Sequence, residues 1–318
     1  MSRELNDAFI KDLLKGDLKE LLDYVKRDNT LDLQIRENYI NIYYQGGNVL
    51  KVSEKMGKYL FVFDENYLKA CPFIKIATLE GYQKSKDWNG YFPLAKQAMD
   101  FYFSVHRKEE REFQQLVVRE NNYSSIANST DYFIIDIEYD NRDGARFDII
   151  AIQWDSTSTA RQLQKGYKPK LVIFEMKYGD AALNGSSGME KHCSDFKTFT
   201  SKSATVSAFK HEILEIFQQK RTLGLIPSLM KIDAKGNSKP IVEFADQIEF
   251  IFLIANHDPE SSKLQTELTS VEDSEVKFIA SNFMGYGLYN QNVFTLEKFM
   301  HRFQWQIFQN SKVIENEQ

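Results

Sequence analysis

The feature that most restricts this chain is the run "IEFIFLIAN", residues 248–256. A strand with one wet face alternates apolar and polar side chains, but this run is apolar at nearly every position. Such a segment is stable only with both faces covered, which calls for a sheet packed between helices. A second run, "KLVIFEMKYGD", residues 170–180, has the same apolar centre but ends on Glu175 and Lys177 before Gly179 breaks it. Charges at the end of a buried strand cost free energy unless they pair, coordinate something or take part in chemistry.

The rest of the chain supplies the helices and further strands. Phe9, Leu13, Leu14, Leu18, Leu21, Leu22 and Val25 recur at helical spacing, predicting one amphipathic helix over 5–27 or two interrupted at Gly16. "LDLQIREN", "YINIYYQGGNVLKVS" and "YLFVFD" predict a small antiparallel sheet over 30–64, with Gly46-Gly47 in a hairpin turn. A helix is expected around 91–104. From about 105 the texture changes. "HRKEEREFQQLVVRENN" is helical by composition, and "DYFIIDIEYD" and "ARFDIIAIQWD" are strands joined by "NRDG". After the strand at 170–177 and the loop "GDAALNGSSG", helices are expected at about 188–199 and 204–221. The polar stretch 261–275 reads as a surface loop, and "TLEKFMHRFQWQIFQN" as a closing amphipathic helix. The expected architecture is α/β: a mixed sheet flanked by helices over 96–318, preceded by a smaller α+β domain over 1–95.

Composition narrows the function. With 42% hydrophobic and 27% charged residues the chain reads as soluble and globular. A net charge of −5 gives no global attraction to phosphate, so a nucleic-acid binder would need a local basic patch. Cys71 and Cys193 are too few for a disulfide framework or a cysteine zinc site, which suits a reducing cytoplasm. The charged N-terminus lacks the apolar core of a signal peptide, and no apolar run approaches the roughly 20 residues needed to cross a bilayer. No membrane partner is expected. Phosphate-binding Gly-x-x-x-x-Gly-Lys-Ser/Thr, Gly-x-Ser-x-Gly and His-Glu-x-x-His motifs are absent.

Asp148 lies mid-strand in "RFDIIAI", and Glu175 and Lys177, two apart, share a face of the later strand. On adjacent strands the two carboxylates would form a hard oxygen site suited to Mg²⁺, with Mn²⁺ as a substitute, and the lysine could position water or screen developing charge. The run "RFDIIAI … KLVIFEMKYG" resembles the restriction-endonuclease-like (PD-(D/E)xK) nuclease superfamily, whose signature is an aspartate on one core strand and Glu-x-Lys on the next. The resemblance covers roughly residues 105–256. It implies Asp148 and Glu175 as metal ligands with the carbonyl of Met176, and Lys177 as a catalytic group. "EREFQ" matches a family helix pattern with Glu110, Phe113 and Gln114. "MEKHCSDF" puts His192 and Phe196 at the spacing of the family's Gln-x-x-x-Tyr, a departure that leaves the role of His192 open. The implied activity is Mg²⁺-dependent cleavage of nucleic acid, with DNA placed ahead of RNA as the substrate, compatible with restriction, repair or phage defence and with a homodimer.

Plainer readings stand beside these. Glu175 and Lys177 could be a solvent-facing ion pair, worth little. Asp148 could pair with Arg146 at a sheet edge. Glu110 is more often a solvated helix residue than a second ligand, with Glu112 and Glu120 as rivals. Asp136 and Glu138 alternate with isoleucines, the pattern of a wet strand face. The other histidines, His257 among them, read as ordinary surface or core residues. Arg161, Lys165, Lys168, Lys170, Lys191, Lys197, Lys202, Lys210, Lys220 and Arg221 could line a phosphate track or simply be solvated. Tyr39, Tyr43, Tyr44 and Tyr59 could stack on bases, a core or docking role being the commoner use. A non-catalytic nucleic-acid- or protein-binding module that keeps the nuclease fold is the competing function.

Overall fold

The computed structural model of the chain describes residues 3–302 apart from 77–78, 83, 141–145, 164–165, 184–187, 227–240, 259–260, 274 and 282–285. By compactness the chain divides into two units, Met1–Asn128 with Phe209–Val242, and Ser129–Ala208 with Glu243–Gln318. The division falls at 128/129 where the sequence suggests 95/96. The helices between those points belong with the first sheet for reasons given below.

The first unit opens on helices α1 (Asp7–Lys15) and α2 (Lys19–Arg27), separated at Gly16 as the spacing allows. Asn6 caps α1 by accepting from the Phe9 N–H at 2.8 Å. A Cβ at position 16 would lie 2.2 Å from Asp12 Oδ1. Strands β1 (Asp32–Arg36), β2 (Tyr39–Tyr44), β3 (Gly47–Lys55), β4 (Lys58–Val62) and β5 (Glu80–Tyr82) follow as an antiparallel meander in sequence order. The β2–β3 turn needs left-handed residues, and Gln45 and Gly46 supply them at φ 47° and 72°. Helices α3 (Ser85–Val105) and α4 (Glu109–Asn122) come next. From α4, the Gln115 side chain accepts from Gly46 N–H at 2.6 Å and donates to the carbonyls of Thr30 and Tyr43. Those bonds tie α4 to the sheet. The tyrosines considered for base stacking are engaged within the unit: Tyr59 donates to Asp12, Tyr44 to Asp100, Arg36 donates to the Tyr43 hydroxyl, and the Lys51 ammonium sits over the Tyr39 ring.

The second unit is built on a six-stranded sheet. Its strands are β6 (Tyr132–Asp140), β7 (Arg146–Gln153), β8 (Lys170–Tyr178), β9 (Glu249–Ala255), β10 (Lys277–Ser281) and β11 (Phe294–Thr295), in the spatial order β11-β10-β9-β8-β7-β6. β8, β9 and β10 run parallel, while β6, β7 and β11 pair antiparallel, so the sheet is mixed as expected. Both apolar runs occupy the middle. β9 is buried at all seven positions, and β8 at every position but its two ends. The described elements also include helices α5 (Ser158–Arg161), α6 (Met189–Thr200), α7 (Ser203–Thr222) and α8 (Ser262–Ser270), α7 passing from this unit into the first.

Two expectations change. The stretch 261–275 contains α8 rather than only loop. Ser261 caps it by accepting from Leu264 N–H, and Leu264 and Leu268, one turn apart, are its only buried side chains, too few for the polar composition to reveal. Asp136 is fully buried, not on a wet face. A bulge between Ile134 and Asp136 adds one residue to β6, and one residue exchanges the two faces of a strand. The "NRDG" turn and all but residues 296–302 of the closing helix lie outside the described residues. Among the described residues no helix is long and apolar enough to cross a membrane.

Candidate active site

The site forms where two strands stop pairing. β7 and β8 are in register from Gln153↔Lys170 to Ile149↔Phe174, which puts Asp148 opposite Glu175 as the next pair. The main-chain ladder ends there. Instead the Asp148 carboxylate reaches across, its Oδ2 accepting from the Met176 N–H at 2.8 Å. A carboxylate thus takes the place of a main-chain acceptor, satisfying the amide while separating the strands. Asp148 is half-buried at the opening.

Glu175 and Lys177 stand on one face of β8, beside Phe252 and Ile254 of β9. Lys177 Nζ donates to Glu175 Oε1 at 3.0 Å, with the two side chains 3% and 6% exposed. The solvent-facing reading of this pair is therefore excluded. Such a pair has lost its hydration, and losing either partner would leave a buried charge. A third group meets the same oxygen: His192 Nδ1 lies 3.0 Å from Glu175 Oε1, its side chain 23% exposed. Because the carboxylate only accepts, the imidazole carries the proton on Nδ1. Burial, then the neighbouring Lys177 ammonium, push the His192 pKa down to about 4, so the ring is neutral near pH 7.

Behind β8 lies a second polar cluster. Gly179 and Asn256 end their strands in left-handed conformations, with φ 64° and 53°. Just beyond them, His257 Nδ1 lies 3.0 Å from Asp180 Oδ1 and Nε2 lies 3.0 Å from the Lys177 carbonyl. Both ring nitrogens face acceptor oxygens. Ser261, the α8 cap, donates to Asp180 Oδ2 at 2.6 Å. The Ser261 and His257 bonds hold the Asp180 carboxyl below its usual range. Nothing in the sequence singled out these three residues. The available signal was position, since Asp180 and His257 directly follow the ends of adjacent parallel strands, where sheets of this class place sites.

The remaining candidates divide. In the second unit Asp148 bonds Met176, while Lys177 and His192 both meet Glu175 on the same strand. Glu110 belongs to the first unit, on α4. Among the described residues no three His, Cys, Asp or Glu side chains are grouped to hold a metal. The basic residues are mostly committed. Lys168 pairs with Glu243, Lys191 with Asp195 and Lys197 with Asp273. Lys170 and Lys277 both meet Glu249 and lower its pKa against the opposing effect of burial. Arg161 donates to the carbonyls of Asp155 and Thr130. Lys210, Lys220 and Arg221 fall in the first unit, and Lys165 lies outside the described residues. Compared with protein-family models, curated proteins and solved structures, the chain finds no match in any of the three.

Proposed function

We propose that this protein is a metal-dependent nuclease of restriction-endonuclease-like fold that hydrolyses the phosphodiester backbone of nucleic acid, DNA in preference to RNA. One observation carries the reading: where the β7–β8 ladder ends, Asp148 bonds the Met176 N–H, in the strand segment that also carries the buried Glu175–Lys177 pair. An aspartate on one core strand with Glu-x-Lys on the next, in a mixed sheet followed by helices, supports the finer fold as well as the chemistry. The donor set suits Mg²⁺ or Mn²⁺, hard ions that use one or two carboxylates and fill the other positions with water and substrate phosphate. Asp148 and Glu175 would hold the ion, and the resemblance adds the Met176 carbonyl. When bound, the ion supplies a water of lowered pKa and polarises the phosphate. Asp148 braces the opening through Met176 N–H. Lys177 contributes an ammonium with little water around it, where stabilising developing negative charge is most effective.

Purified protein incubated with DNA and with RNA in Mg²⁺ or Mn²⁺ tests this. Cleavage abolished in Asp148→Ala and Lys177→Ala is the expected result; no cleavage by wild type, or cleavage unchanged in both variants, refutes it. The competing binding-module reading draws on the lysines being occupied by carboxylates. Exposed pairs of that kind contribute only about 0.2–1 kcal/mol each and yield easily to a phosphate, so they argue weakly. Calorimetric titration with Mn²⁺ separates the two, because a non-catalytic module need not bind the ion.

A further inference from the structure

The family-like pattern leaves one residue without a role. His192 is the point where α6 touches the site, and the geometry of that contact is fixed by its neighbour one turn on. Phe196 stacks on Phe250 of β9, ring centroids 4.7 Å apart and planes 14° from parallel. Phe250 and Phe252 are two apart on β9, and Phe252 is the register partner of Glu175. One helical turn of four residues advances about 6 Å and two strand residues about 6.6 Å. His-x-x-x-Phe on α6 therefore matches the two-residue repeat of the sheet beneath it. With Phe196 anchored on Phe250, the ring of His192 falls over the row holding Phe252 and Glu175.

We propose that His192 is a positioning residue for Glu175, holding its carboxylate in the orientation that binds the metal ion while Lys177 turns toward substrate. The inference rests on the nuclease reading above. Two donors converge on one oxygen, Glu175 Oε1: Lys177 Nζ and His192 Nδ1, each at 3.0 Å. A lysine that also serves the reaction must exchange that bond for one to water or phosphate. A flexible ammonium can make the exchange; the imidazole, fixed by its helix and by burial, keeps the carboxylate in place.

The test compares side chains that differ in where they offer an N–H. The amide of His192→Asn lies near the position of Nδ1, whereas that of His192→Gln lies near Nε2, beyond the bond to Oε1. Outer contacts to metal ligands contribute about 10–100-fold to affinity, so His192→Gln and His192→Ala are expected to raise the Mn²⁺ dissociation constant at least about tenfold in calorimetry. His192→Asn is expected to stay within about threefold of wild type on the same reasoning. In cleavage assays the loss should fall on kcat, with KM for DNA little changed. If Gln and Ala bind Mn²⁺ as wild type does, or if Asn is as weak as Gln, His192 does not position Glu175, although the metal site stands. If wild type binds no Mn²⁺, the metal-site reading fails and this inference fails with it. The Asn–Gln comparison is isosteric enough to hold even should the alanine variant unfold.

Discussion

Lys177→Met isolates the energetics of the candidate site without any assumption about substrate. Methionine keeps most of the lysine stem but removes the ammonium, so the volume of the site changes little while its charge changes by one. Formally, two carboxylates and one ammonium become two carboxylates alone. Both members of the Lys177–Glu175 pair are more than nine-tenths buried, so solvent screens little of the loss. Removing one partner of such a pair costs about 3–5 kcal/mol, whereas replacing both by neutral groups of similar shape costs little or even stabilises. Lys177→Met should therefore lose about 3–5 kcal/mol in metal-free buffer, and the double variant with Glu175→Gln should return to within about 1 kcal/mol of wild type. Urea unfolding at pH 7.5 with a chelator gives the four corners of the cycle. Mn²⁺ at tenfold its dissociation constant should then restore about 1.4 kcal/mol to any variant that still binds it. A single variant within about 1 kcal/mol of wild type would show that the pair is not desolvated as described. Equal losses in the single and double variants would show that the energy lies in packing rather than charge.

Two further outcomes follow from the geometry. The His192 ring has a folded-state pKa near 4 against about 6.5 when unfolded, so the unfolded chain takes up its proton first as pH falls. Its contribution is complete above about pH 6.5, declines through the interval and levels off below 4, with about 2 kcal/mol of it lost by pH 5. His192→Asn should lose that much less stability between pH 7.5 and 5 in urea titrations, and parallel losses would refute the assignment. Gly46 and Gly57 share φ 72°, but a Cβ at Gly46 would lie 2.4 Å from main-chain atoms of Arg111 while one at Gly57 meets open space. Gly57→Ala should cost about 1 kcal/mol from backbone strain alone, and Gly46→Ala at least about 2 kcal/mol more; similar values would mean α4 can move away.

The central strands were legible because burial on both faces leaves no alternation to misread. The candidate site stood out for the opposite reason: Asp148, Glu175 and Lys177 are polar where Ile149, Ile173 and Phe174 demand apolar neighbours. Where the reading failed, a long-range contact decided the outcome. One inserted residue at Ile135 turned Asp136 inward, and no local pattern marks a bulge in an isoleucine-rich strand. The α8 helix depends on two leucines and a serine cap among polar neighbours. Ser261, Asp180 and His257 are far apart in sequence and meet only because β8 and β9 end at the same edge of the sheet. The basic residues stayed undecided as a group, since sequence counts charges but does not show which carboxylate each lysine meets.

Most amides in the centre of a sheet bond to carbonyls, whose state never changes. The Met176 amide bonds to a carboxylate instead, that of the half-buried Asp148. Protonation, substitution or engagement of Asp148 alters the acceptor that this one proton sees, with the neighbouring ladder undisturbed. The backbone therefore carries a built-in spectroscopic reporter: a single amide resonance, in an isotope-labelled sample, whose chemical shift follows the state of the Asp148 carboxylate and requires no probe, tag or turnover.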